Sequence, residues 1–392
     1  MTSSWTSRLK GQEVKWSFII LAYILLLFQS VLDNSRGPIY PELLADFQID
    51  AARGSWIFAL ASLSGLIANL TTRWWLPKIE AIHGTHIALV LLTISSYLFG
   101  ISLNHGTYLL DISSVLMGFG MGIGNVTMNI LIVRGTKEQF RRQFFSGLHS
   151  VYGVGSLSAP LILNIFLANQ GTWSLFFQYL SIIPFLILVC SITNISRYQH
   201  VSLDKKVVKE KLSAPAKLNE RLLYGFVFGF YVASEIVVST RLVLYLTTEH
   251  GISVEHSRTA LSLFFLLLLC GRFLFTILPI KGSSQRWLIA SCCISLILYI
   301  ASFVTTPFIL PILGLSMSIY YPVAMDWLSK KFPTGFDWMT ASVQTSVSLI
   351  LVLMHIGFGH LSDLLGIEYA MGLVPLFQFI CLLLLLKLGR AN

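Results

Sequence analysis

Long uncharged runs, separated by short clusters of polar residues, proline and glycine, follow one another along the chain. The run from Trp16 to Leu32 carries no formal charge, and runs of similar length recur toward the C-terminus. A hydrocarbon core of about 30 Å takes roughly 20 helical residues to cross. Cutting at the polar clusters predicts six spans near 16–38, 54–75, 85–104, 107–133, 143–168 and 172–195. Six more are predicted near 221–247, 258–279, 286–305, 307–329, 337–361 and 367–388. The connection at Thr305–Pro307 is very short.

Composition agrees with this pattern. The chain is 55% hydrophobic and 11% charged, against roughly 25% charged for a soluble domain. The net charge of +9 would suit nucleic acid, but its distribution gives a simpler account. With the N-terminus inside, 22 of the 27 basic residues fall in inner segments, as cytoplasmic loops require. Only Arg53 and Arg258 fall in outer loops, and Arg36, Arg241 and Arg272 lie within spans or at their ends. Twelve spans with both termini cytoplasmic follow, and no nucleic-acid partner is implied. The basic N-terminus followed by an apolar run is read as a retained first span rather than a signal peptide.

The basic stretch at 196–220, containing "SLDKKVVKEKLSAPAKLNER", divides the spans six and six. The expected organisation is an N-terminal bundle over 1–195, a linker over 196–220 and a C-terminal bundle over 221–392. Two six-helix halves so joined are the arrangement of the major facilitator superfamily, with the site between them near the midplane.

Soluble catalytic signatures are missing from this pattern. The glycine-rich "GFGMGIGNVTMN" sits inside an apolar run with no strand before it, so it reads as helix packing rather than a phosphate loop. Gly118 and Gly122 share a face, as small residues do where helices approach closely in lipid. The five cysteines lie in apolar runs without CxxC spacing, which favours packing over a disulfide or zinc site. No enzyme activity, metal or cofactor is implied.

Ionisable and amide groups inside spans carry the functional expectation, because they are costly there and usually face a cavity or a partner. Glu235 lies about 20 Å along the seventh span from Leu222. It is the first choice for a proton- or ion-linked group; a structural hydrogen-bonding carboxyl is the alternative. Asp33 and Arg36 are three positions apart on one helix face. They are either an ion pair closing the outer end of the first helix or charges in a central cavity. Asn125 and Asn129 share a face, as interhelical hydrogen-bonding groups or as cavity lining, and Asn34 could join them. Arg241 is placed near the outer surface, within snorkelling reach. With Arg36 it could instead clamp an anionic substrate. His149 reads as a packing residue, and Asp111 and Asp326 as water-accessible groups at span ends.

Three stretches resemble the fucose permease-like sugar:proton symporters of that superfamily. "FYVASEIVVSTRLVLYL" at 230–246 resembles their seventh span, and "GIGNVTMNILIVRGTKEQFRRQFFSGLHSVYGVGSLSAPL" at 122–161 their fourth and fifth. "PELLADFQIDAARGSW", from Pro41, is similar to the start of their second. The resemblance implies a sugar carrier in which Glu235 and Asn125 serve the sugar and coupling site. This chain departs from the pattern at Gly37, where the first-span acid would fall, and at Asn125, where an acid or Gln would stand. The usual charged motif between the second and third spans is not evident in "TTRWWLPKIEAIHG".

The expectation is thus a monomeric secondary transporter in the cell membrane, moving a small polar solute with a proton or sodium ion. Its partners would be that solute, the coupling ion and the lipid bilayer. An organic-anion or phosphorylated-solute carrier, a drug exporter and a non-transporting receptor stand as alternatives.

Overall fold

The computed structural model describes residues 14–136, 138–194, 217–277, 282–332 and 336–390. Among these the chain is helical, and twelve helices are long and apolar enough to cross a membrane. The first six are Trp16–Ser35, Ala51–Thr72, Lys78–His105, Thr107–Gly135, Ser150–Ala168 and Trp173–Thr193. The other six are Leu218–Thr248, Val254–Leu274, Ser284–Val304, Pro307–Lys331, Met339–Leu365 and Ile367–Gly389. Large apolar side chains such as Ile297, Val304 and Leu353 point outward, as expected where the solvent is lipid. Many serines are buried instead, and they bond backward along their own helices. Ser114 Oγ donates to Leu110 O at 2.7 Å and Ser96 Oγ to Leu92 O at 2.8 Å.

Several boundaries differ from expectation, each for a local reason. The first helix stops at Ser35 rather than 38, and a separate helix, Tyr40–Phe47, follows a turn at Gly37–Pro38. Pro41 near that helix's start costs it no bond, since the first N–H groups have no intrahelical acceptor. The second span opens at Ala51, where Asp50 caps it by accepting from Arg53 N at 2.7 Å. No loop separates the second and third spans: two helices meet within Ala51–His105 at a sharp break at Glu80, with φ 66° and ψ 156°. The tenth span is built in pieces, a 3₁₀ turn at Pro307–Ile312 and helices Leu313–Met317 and Tyr320–Lys331.

The first span packs on the fourth and fifth, and the fifth on the eighth. The seventh packs on the eleventh and twelfth, and the stretch Ala51–His105 on the fourth, sixth and eleventh. The close approach expected at Gly118 and Gly122 is present. A Cβ on Gly118 would lie 2.1 Å from Ala61 O, and one on Gly122 2.7 Å from Gly65 O. Three of the five cysteines are wholly or partly buried, as packing residues are. Cys190 and Cys270 are exposed, and all five are free thiols. The His149 side chain and linker residues 196–216 lie outside the described residues.

Candidate functional site

Two acid–arginine pairs lie within the spans, each partly shielded. On the first span Arg36 bonds to Asp33 one turn back, and Arg36 also donates to Ile57 O at 3.3 Å. Glu235, on the seventh span, pairs with Arg272 of the eighth at 3.5 Å. Tyr152 of the fifth span touches the first of these pairs. Its hydroxyl donates to Asp33 Oδ2 at 3.4 Å, and the charges of Glu235 and Arg272 act on it.

Neighbouring hydrogen bonds fix this arrangement. Ser30 Oγ donates to Tyr152 O at 2.6 Å, and Asn34 Nδ2 reaches Ser30 O at 2.8 Å and Ser156 Oγ at 3.1 Å. These contacts bolt the first span to the fifth and hold Tyr152 beside Asp33. On the other side Tyr321 lies within the field of the same pair and accepts from Gln344 Nε2 at 2.9 Å. Carboxylates that can exchange an arginine partner for a proton thus stand beside hydroxyls and amides suited to a polyol.

Asp33 lies two residues before the end of the first helix at Ser35, with 34% of its side chain exposed, whereas Arg36 is 5% exposed. Glu235 is interior, as expected. Arg272 and Tyr152 were not among the expected site residues. The signal for Arg272 was a lone charge inside "LLLLCGRFLF", since a deep acid needs a partner. Tyr152 gave no comparable signal.

The structure does not bring the other expected residues into this cluster. Asn125 and Asn129 are exposed, and Asn129 Nδ2 donates to Asn125 O of its own helix at 2.6 Å. Among the described residues they make no interhelical bond, so the bridging role is corrected. Arg241 does not snorkel. It has no exposed surface, donates to Ser55 Oγ at 3.1 Å, and lies 4.2 Å from the Tyr40 ring centre and 4.3 Å from that of Phe58. Its Nε and Nη1 have no hydrogen-bond partner.

Arg241 belongs to a second layer, at the end where the first, seventh and eleventh spans finish, termed the distal end. There Asp363 accepts from Ala51 N at 3.0 Å and Ala52 N at 2.8 Å, a carboxylate on the positive end of the second span's helix. Arg258 pairs with Glu42 and donates to Pro38 O at 3.2 Å. His355 stacks on Phe58 at 5.2 Å. In this layer hydrogen bonds join the first half of the chain to the second.

Gly37 lets the layer close. A Cβ there would lie 2.8 Å from Ser239 O and 3.0 Å from Thr240 Cα, both backbone atoms of the seventh span. Gly37→Ala is expected to hold the distal end open. A cysteine introduced at Asn34 should then react with an impermeant thiol reagent from the distal side at least tenfold faster than in a Gly37 background. Equal rates would mean that the seventh span yields instead.

Twelve apolar helices closed around paired acids and arginines define a polytopic membrane protein. The chain belongs to the Major Facilitator Superfamily, whose profile it matches over residues 19–337. It is 20% identical over 324 residues, 79% of each chain, to the glucose/mannose transporter GlcP of Bacillus subtilis (strain 168). A shorter stretch, 153 residues covering 38% of this chain and 33% of the relative, is 28% identical to the multidrug efflux pump SdrM of Staphylococcus aureus (strain N315). Among solved structures, a D-xylose-proton symporter superimposes with a TM-score of 0.70 at 14% identity, covering 95% of this chain and 97% of its own. A bacterial homologue of the human lysosomal transporter Spinster, inward-facing and occupied, gives 0.72 at 13% identity, covering 97% and 98%. At such identities the structures bear on the fold alone.

Proposed function

We propose that this chain is a secondary active transporter that carries a sugar across the cell membrane by alternating access, driven by a proton gradient. The observation that carries the reading is a pair of acid–arginine contacts within the spans, Asp33–Arg36, which Tyr152 touches, and Glu235–Arg272, whose charges reach the same tyrosine. A curated relative named for glucose and mannose supports the substrate class. The sugar would hydrogen-bond Tyr152, Asn34 and Gln344. Asn125 and Asn129 would meet it along the approach, on the exposed face of the fourth span. A proton arriving at Glu235 would free Arg272 from its pair, so that loading changes the charge pattern of the site.

In this reading the chain works as a monomer, with its termini and 196–220 linker cytoplasmic. Residues 1–195 and 221–392 would rock as two bundles about the site. The distal layer would be the closed external gate, placing the molecule in an inward-facing state. An organic-anion clamp by Arg36 and Arg241 fits less well, because Arg36 is held by Asp33 and Arg241 has no exposed surface.

Uptake into proteoliposomes tests the reading. Labelled hexose should accumulate when the lumen is alkaline, collapse with a protonophore and ignore a sodium gradient. Accumulation of organic anions or expulsion of cationic dyes, with no hexose movement, would overturn it.

A further inference from the structure

A shallow, open groove of about 620 Å³ lies between the second and fourth spans, lined by none of the residues of the central pairs. Arg53 and Asp111 form its distal end. Two parallel bonds join them, Arg53 Nη1 to Asp111 Oδ1 at 2.9 Å and Nη2 to Oδ2 at 2.7 Å. Below the pair the walls are apolar, with Trp56, Leu60, Ile112 and Leu116. Trp56 and Ile112 are exposed on the surface that meets lipid.

Depth and chemistry both matter here. Arg53 is the third residue of the helix beginning at Ala51, and Asp111 the fifth of the helix beginning at Thr107. Both therefore sit within about 7 Å of a helix end, where headgroups lie and where Trp is favoured. Each side chain is about one third exposed, 31% for Arg53 and 35% for Asp111. The pair uses two of the five guanidinium N–H groups and leaves lone pairs on both carboxylate oxygens. A fixed cation beside a fixed anion complements a headgroup that carries the opposite charges side by side.

We propose that this groove is a binding site for one phosphatidylethanolamine molecule of the distal leaflet. Its phosphate accepts from the free N–H groups of Arg53, and its primary ammonium donates to Asp111. An acyl chain runs past Trp56 toward Leu60 and Leu116. The ammonium N–H groups set the selectivity. Phosphatidylcholine has none to donate, and phosphatidylglycerol brings no cation to Asp111. A free phosphate would satisfy Arg53 but leave the apolar wall uncovered.

Lipid retained by the full-length protein tests this. The protein is equilibrated in mixed micelles holding equal amounts of the three lipids with identical chains, and bound lipid is read by native mass spectrometry. The wild type should keep phosphatidylethanolamine over phosphatidylcholine by about threefold, the scale of a partly exposed charge contact. Asp111→Asn should bring the two to parity, and Arg53→Gln should lose the retained lipid. Leu116→Trp fills the groove without touching the charges and should also lose it, which covers the case in which a charge variant fails to fold. Equal retention of the two lipids by the wild type would overturn the proposal. So would an undiminished preference in Asp111→Asn or in Leu116→Trp.

Discussion

Glu235→Gln should abolish sugar accumulation while leaving equilibrative exchange, and it should destabilise the protein more than Arg272→Gln does. The Glu235–Arg272 pair is mostly shielded, with 18% and 28% of the side chains exposed. Breaking a shielded pair takes from the remaining charge one of the groups that compensate it. The two single variants differ in what remains. A stranded carboxyl can shed its charge by binding a proton, whereas a guanidinium cannot. Glu235→Gln should therefore cost about 2 kcal/mol, less than for a fully buried pair because water still reaches it. Arg272→Gln should cost less, and Glu235→Gln with Arg272→Met should recover most of the loss without restoring accumulation. Thermal unfolding and a paired accumulation and counterflow assay measure both parts. If accumulation survives in Glu235→Gln, coupling does not run through this carboxyl, and Asp33 becomes the site to test.

Arg241→Met should raise the melting temperature and slow uptake by at least tenfold. Arg241 is fully buried, with one hydrogen bond to Ser55 and two nitrogens unpartnered. The rings of Tyr40, Phe58 and Phe358 supply cation–π contact, the last at 5.0 Å, but no carboxylate pairs with it among the described residues. Replacing a poorly compensated buried charge with an apolar side chain of similar length is often stabilising, here by about 1–2 kcal/mol. The gain would belong to the closed distal layer, so the transport cycle would stall there. A lower melting temperature with normal uptake would show instead that the guanidinium holds the fold.

The helices were legible because lipid imposes one rule on every span: a run long enough to cross, bounded by polar residues. Glu235 and Asp33 were legible for the same reason, since a charge inside such a run stands out. Partners were harder to read. Arg272 was visible as a charge, but its pairing with Glu235 depends on how the seventh and eighth spans pack, which spacing does not give. Tyr152 is an ordinary aromatic until Ser30 and Asn34 fix the fifth span against the first. Arg241 was misread because helical angle gives a direction but not what lies there, and what lies there is a wall of rings from three other segments. Asn125 and Asn129 share a face as expected, but the Asn129 amide turns back onto its own helix. Gly37 stood out as a missing acid, while its role is steric.

The bend at Glu80 reaches beyond local geometry. A glutamate at φ 66° sits in a backbone region that side chains disfavour, so the angle is held by its surroundings, which include Arg134 near the opposite end of the fourth span. The second and third spans are two helices that meet directly at Glu80, with no loop to absorb a displacement between them. Torque applied where Asp363 grips Ala51 and Ala52 is delivered around the corner, to the far wall of the molecule.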